Sequence, residues 1–245
     1  DTLVGGLGGD TIHGNEGIDV IVGDGADVEI TARVATQITS IDTSNGGADM
    51  LFGDNGNDIV AGGNGADEIE GNDGADVLIG DGISVSRDSA GQYLVVATNG
   101  AADGGNDTIY GDDPASASVI NHDVLLGGNL DDMLDAQAGD DIAIGDSGRL
   151  TFAVAGDIST VRIETTDPEQ GGLDTIYGRT GSDTILGGNA GDTIYGHEAD
   201  DVLLGDHGVV VRHDGSAQAN DIYSTDPIFG GADDIEGNTG HDIIL

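Results

Sequence analysis

Residues 46–82 read GGADMLFGDNGNDIVAGGNGADEIEGNDGADVLIGDG. In this stretch Asp49, Asp58, Asp67 and Asp76 stand nine residues apart. Each is followed two places later by an apolar residue (Leu51, Val60, Ile69, Leu78) and four places later by glycine. Working outward, the same unit recurs at Asp1, Asp10 and Asp19; at Asp107, Asp123, Asp132 and Asp141; at Asp174, Asp183, Asp192 and Asp201; and at Asp233 and Asp242, seventeen units in all. The place two after the Asp is apolar in every unit. The place four after it is Gly in 15 of the 16 units long enough to show it, Ala136 being the exception. Each nonapeptide therefore reads as a Gly-rich turn followed by a very short strand. One apolar residue is too little core for a unit alone. The units must stack and bury a continuous apolar column, which is the logic of a solenoid.

A second period of about 60 residues lies over the first. The repeat breaks at Gly23-Asp24-Gly25, Gly80-Asp81-Gly82, Gly145-Asp146-Ser147 and Gly205-Asp206-His207, and it resumes at a Gly-Gly pair: Gly46-Gly47, Gly104-Gly105, Gly171-Gly172 and Gly230-Gly231. Between break and resumption the residues alternate apolar and polar, the strand signature. ISVSRDSAGQYLVVAT (83–98) reads as strand, turn, strand. Hairpin inserts are expected at about 26–45, 83–103, 148–170 and 208–229 of one continuous roll. Inserts that recur every four units imply an even number of units per turn, and two is the simplest choice. The units then sort into two rows of nine and eight. In one row the core position is flanked by apolar residues (Val20/Val22, Val77/Ile79, Ile142/Ile144), and in the other by polar or aromatic ones (Thr11/His13, Thr175/Tyr177, Thr193/Tyr195). A continuous apolar triplet marks a strand covered on both faces, so the hairpins are expected to fold over the first sheet and leave the second exposed. The fold class is all-β: a parallel β-roll of two sheets with lateral hairpins.

The 245 residues hold 47 acidic and 6 basic side chains, for a formal net charge of −41. Asp outnumbers Glu 39 to 8, and five of the six Arg lie in the inserts. Such a charge repels phosphate backbones and argues against nucleic acid as a partner. No apolar run reaches membrane-spanning length, and the absence of Cys excludes disulfides and thiolate metal sites. A chain this acidic repels itself when compact unless counter-charge enters with folding.

The unit G-G-x-G-x-D-x-apolar-x resembles the nonapeptide of the RTX, or hemolysin-type calcium-binding, family. GGNGADEIE (62–70) matches it at every defined position, and GDNGNDIVA (53–61) matches apart from its second Gly. The resemblance implies a calcium-loaded parallel β-roll with Ca²⁺ in the turns between successive coils. The family's ligand Asp carries over to Asp1, Asp10, Asp19, Asp49, Asp58, Asp67, Asp76, Asp107, Asp123, Asp132, Asp141, Asp174, Asp183, Asp192, Asp201, Asp233 and Asp242. Hard oxygen donors in number suit Ca²⁺, which takes six to eight of them. Two rows give at most about fifteen ions, which would bring −41 to about −11. Inserts enter one column of turns at every second coil, so half of that column's sites are expected to be weakened, and about eight to fifteen ions are expected. The unit before Asp123 is distorted by an extension containing Pro114.

The six His (13, 122, 197, 207, 213 and 241) share no spacing and are read as solvated or locally bonded. Tyr110, Tyr177 and Tyr195 fall on the exposed sheet, a possible ligand surface for extracellular polysaccharide. No nucleophile elbow, P-loop or metalloprotease motif appears, and no catalytic residue is assigned. The chain opens on a unit Asp and ends mid-unit, so it reads as a segment of a longer array whose neighbouring repeats are its partners. The resemblance implies a non-enzymatic module of a large secreted or cell-surface bacterial protein, exported by a type I system and adhesin-like. A polysaccharide-binding module and the accessory roll of a secreted enzyme are the alternatives.

Overall fold

Gly-rich turns and apolar triplets alternate along the chain, and in a computed structural model they wind it into two facing parallel sheets, one strand of each per coil. Residues 1–41, 45–99, 104–112, 121–212 and 222–245 are described. The first sheet has nine strands: Thr2–Val4, Val20–Val22, Ile59–Ala61, Val77–Ile79, Val124–Gly128, Ile142–Asp146, Thr184–Gly188, Val202–Asp206 and Ile243–Ile244. The second has eight: Thr11–His13, Met50–Asn55, Glu68–Asp73, Thr108–Tyr110, Met133–Asp135, Thr175–Thr180, Thr193–Glu198 and Asp234–Thr239. Each strand follows one unit Asp, so the rows of nine and eight are realised.

Register holds the core positions in line. Ile21 pairs with Val60, Val60 with Leu78, and Leu78 with Leu125 in one sheet. In the other, Leu51 pairs with Ile69 and Ile176 with Ile194. These residues meet between the sheets as one fully buried column. Burying a single Leu or Ile is worth about 1.5–3 kcal/mol, so stability accrues coil by coil.

The inserts form a third layer. Strands Ala26–Thr31 with Val34–Ser40, Ile83–Arg87 with Tyr93–Thr98, Gly148–Phe152 with Val161–Thr165, and Gly208–Val211 with Ile222–Ser224 are antiparallel hairpins. Asp88 tightens the second hairpin's turn, its Oδ1 accepting from the N–H groups of Ala90 and Gln92. Successive hairpins also pair with one another, through Val85↔Ile38, Val96↔Leu150 and Ile163↔Val210, into one eight-stranded antiparallel sheet. This sheet lies on the nine-stranded one. Val20, Val22, Ile59, Val77, Ile79 and Ile144 share a core with Ile38, Val85, Val96, Leu150, Ile163 and Val210. The apolar triplets are thus covered on both faces, and the Thr/Tyr sheet is left open. The extension around Pro114, His213 and the tip of the fourth hairpin lie outside the described residues.

Candidate metal centre

The turns that link the two sheets run as two columns along the roll, and each is lined by unit Asp carboxylates. Their Oδ1 atoms form a ladder. In the row feeding the open sheet, Asp10 N–H donates to Asp49 Oδ1, Asp49 to Asp67, Asp67 to Asp107, and so on through Asp132, Asp174 and Asp192 to Asp233, at 2.7–3.0 Å. In the other row Asp19 donates to Asp58, Asp58 to Asp76, Asp76 to Asp123, and onward through Asp141, Asp183 and Asp201 to Asp242, at 2.7–3.1 Å. At the N-terminal end the Asp1 amino group pairs with Asp19. Neither ladder is interrupted where an insert intervenes.

The second oxygens are in a different position. Oδ2 is buried and has no hydrogen-bond partner in fourteen of the seventeen unit Asp residues, all but Asp1, Asp233 and Asp242. A buried carboxylate oxygen without a donor is costly. Beside thirteen of these fourteen, all but Asp141, lies a turn glycine, as a rule with a main-chain carbonyl of the next coil. A Cβ on Gly53 would stand 2.7 Å from Gly71 O and 2.8 Å from Asp58 Oδ2; on Gly14 it would stand 2.5 Å from Gly53 O and 2.9 Å from Asp19 Oδ2. In the other column, Gly5, Gly23, Gly62, Gly80, Gly127, Gly145 and Gly187 face the same pair of atom types, so the break-side glycines Gly23, Gly80 and Gly145 look just like the rest. The expected weakening at insert-bearing coils therefore finds no counterpart in the donors.

Electrostatics agree with this geometry. Burial lifts the carboxyls of Asp49, Asp58 and Asp201 to about 6, and those of Asp67 and Asp76 to about 8. Asp107, Asp123, Asp141 and Asp174 reach about 9. In each case desolvation is the largest cause and neighbouring carboxylates add to it. In most the ladder hydrogen bond opposes it next in size; in Asp174 the charge of Asp146 comes first. The interior of each ladder is thus a row of carboxylates short of counter-charge. The donor set is all hard oxygen, one carboxylate per turn plus carbonyls, which suits Ca²⁺ and not a soft metal. Among the described residues no three acidic or imidazole side chains converge on one point, so main-chain carbonyls must complete any site.

The aromatic candidates separate. Tyr177 and Tyr195 stack with centroids 5.3 Å apart and planes 8° apart, Tyr195 also stacks on His197, and the Arg179 guanidinium covers Tyr177 at 4.4 Å. Arg179 in turn holds Asp135 at 2.9 and 2.7 Å. Tyr110 stands apart, because Asp135 occupies the strand between it and Tyr177. The rings therefore stand upright as a ladder. Of the His residues, His13 stacks on Phe52 beside Asp54, His122 accepts from Asp140 N–H, His241 meets Asp200, and His207 is buried.

The sequence gives no ligand role to Asp24, Asp81, Asp146 and Asp206, buried or half-buried carboxylates at the mouths of the four hairpins, nor to the buried Asp112 and Asp135. The recurrence of the first four in the break triplet every 60 residues was the available signal.

A family model described as the RTX calcium-binding nonapeptide repeat matches residues 1–28, 43–78, 101–113, 120–149, 170–203 and 229–245, more than half of the chain. Four of the five gaps between matched segments fall on the hairpins, and the fifth, 114–119, falls on the extension that begins at Pro114. Comparison with curated proteins gives no match.

Proposed function

Because the chain belongs to the RTX calcium-binding nonapeptide-repeat family, we propose that its seventeen unit Asp residues hold calcium in the two turn columns, about eight to fifteen ions in all. Calcium then couples folding to export. The bound cation supplies the positive charge that the buried Oδ2 atoms lack. The observation that carries this reading is the file of buried, unpartnered Oδ2 atoms facing main-chain carbonyls. In low calcium the repelling carboxylates keep the chain open. Outside the cell, where calcium is plentiful, the roll closes and stiffens. Its role is then that of a rigid, non-catalytic segment of a large secreted or cell-surface bacterial protein.

Pulling single molecules tests the rigid-segment role. Stepwise unfolding events should appear in millimolar calcium and disappear in chelator, and the same unfolding forces in both would remove the calcium-stiffened scaffold from consideration. The polysaccharide reading has less support, because a sugar stacks on ring faces and those of Tyr177 and Tyr195 are turned toward each other, Arg179 and His197. A glycan screen in calcium decides it: saturable binding lost on Tyr177→Ala with Tyr195→Ala would restore the binding module.

A further inference from the structure

The hairpins enter the roll through one column of turns only, those that lead from the nine-stranded to the eight-stranded sheet. In the uninterrupted turns of this column the second turn residue is a left-handed glycine, Gly63 (φ 113°) or Gly128 (φ 123°). Where a hairpin enters, the corresponding place is Asp24, Asp81 or Asp146. These side chains turn back into the column, away from the hairpins. Asp81 is 5% exposed and Asp146 is 0% exposed. Asp81 Oδ1 accepts from Gly105 N–H at 3.1 Å, where its own turn resumes, and its Oδ2 accepts from Asn129 N–H at 2.6 Å, in the next uninterrupted turn. Asp146 repeats this with Gly172 at 3.0 Å and with Asn189. A Cβ on Gly128 or Gly188 would collide with these carboxylates.

Two of the roughly four acceptor sites of each carboxylate are thereby used, and burial keeps water from the rest. Each reaches the turn segment just ahead of the unit Asp that ends it: Asp81 bonds Gly105 N–H two residues before Asp107, Asp146 bonds Gly172 N–H two before Asp174, and Asp24 Oδ2 lies against Gly46, three before Asp49. The Oδ2 atoms of Asp49, Asp107 and Asp174 are buried and have no partner. Asp107 Oδ2 and the carbonyl of Gly127, which precedes the glycine that Asp81 covers, both lie within 2.5 Å of where a Cβ on Gly80 would stand. Two buried carboxylates and a neighbouring carbonyl thus line one turn, a hard-oxygen donor set richer in charge than one unit Asp alone.

We propose that Asp24, Asp81 and Asp146 are additional calcium ligands at the mouths of the first three hairpins, so that each of these insertions adds a stronger cation site where it breaks the repeat. This deepens the calcium reading above and rests on it. The inserts then double as the points at which the roll is pinned first as calcium rises.

The test compares calcium retained by the whole chain, counted by native mass spectrometry at about 0.1 mM free calcium, a level within the range of oxygen-ligand sites. The wild type is set against Asp81→Asn with Asp146→Asn, and against Asp27→Asn as an exposed charge control. The double variant should retain two ions fewer while the control matches wild type. Asp81→Gly with Asp146→Gly, which restores the residue of the uninterrupted turns, is the second variant and should lose the same two ions. Unchanged ion counts in either variant, with stability lowered equally at every calcium concentration, would make these residues hydrogen-bonded clasps and overturn the proposal. A wild type that retains no calcium would instead overturn the underlying calcium reading.

Discussion

Ala136 stands where the other units long enough to show the position carry glycine, and it is 1% exposed. Elsewhere the missing Cβ at this place faces the Oδ2 of the following unit Asp and a carbonyl of the next coil. By the repeat's geometry the Ala136 methyl fills that place before Asp141, whose Oδ2 is buried without a partner. Ala136→Gly is therefore expected to add one calcium ion to the number retained, read by native mass spectrometry; an unchanged count would mean that the methyl blocks nothing. The carboxylates themselves set a pH dependence. Asp67 and Asp107 titrate at about 8 and about 9 in the metal-free fold, raised by burial from 3.8. The folded chain thus holds protons that the unfolded chain releases, so this contribution is fully present near pH 4 and is lost as pH rises through about 8–9. Chelated protein should hold more β structure by circular dichroism at pH 5.5 than at pH 8.5, whereas in saturating calcium, which displaces those protons, the roll should melt higher at pH 8.5. A metal-free roll more stable at pH 8.5 would contradict the assigned burial of the ladders.

Among the elements, the two core sheets were legible from the sequence because a strict nine-residue spacing and an insert every fourth unit fix both the strand and its row. The identity of the covered face was also legible: the Val77 and Ile79 positions are apolar on both sides of the core residue, and both are buried under the hairpins. Replacing Val77 and Ile79 by Ser should cost roughly 2–5 kcal/mol, measured by calcium-saturated denaturation. Thr193→Ser with Tyr195→Ser should cost less than half as much, and equal costs would mean that the hairpin layer covers nothing. The pairing of hairpin with hairpin was not legible. Val85 meets Ile38, and Val96 meets Leu150, only because the coils beneath bring segments about 50 residues apart into register. No local pattern encodes that. The mouth carboxylates were missed for a related reason: Asp81 reads as a turn residue until the next coil places Asn129 N–H against it. The two files of buried carboxylates were legible from the Asp spacing, whereas the carbonyls that face them belong to the coil geometry.

For the molecule as a whole, the balance lies between a thin core and two files of charge. Adjacent carboxylates one strand apart, about 4.8 Å, repel by about 3.5 kcal/mol at an effective dielectric of 20. The apolar residue each unit buries returns about 1.5–3 kcal/mol. When fully ionised, the ladder therefore repels by as much as or more than a coil gains by stacking; without cations it must instead hold protons, at a cost that grows with pH, and a net charge of −41 adds repulsion at long range. On the proposed calcium reading, folding depends on cations that enter the turns, and magnesium, which demands near-ideal octahedral geometry and sheds water reluctantly, is a poor substitute. The most direct test is a calcium titration followed by far-UV circular dichroism at pH 7.5, with magnesium as control and chelator to reverse it. The account predicts a cooperative coil-to-β transition between micromolar and millimolar calcium, absent with magnesium and undone by chelator. A chain that is fully β in chelator and indifferent to calcium would contradict it.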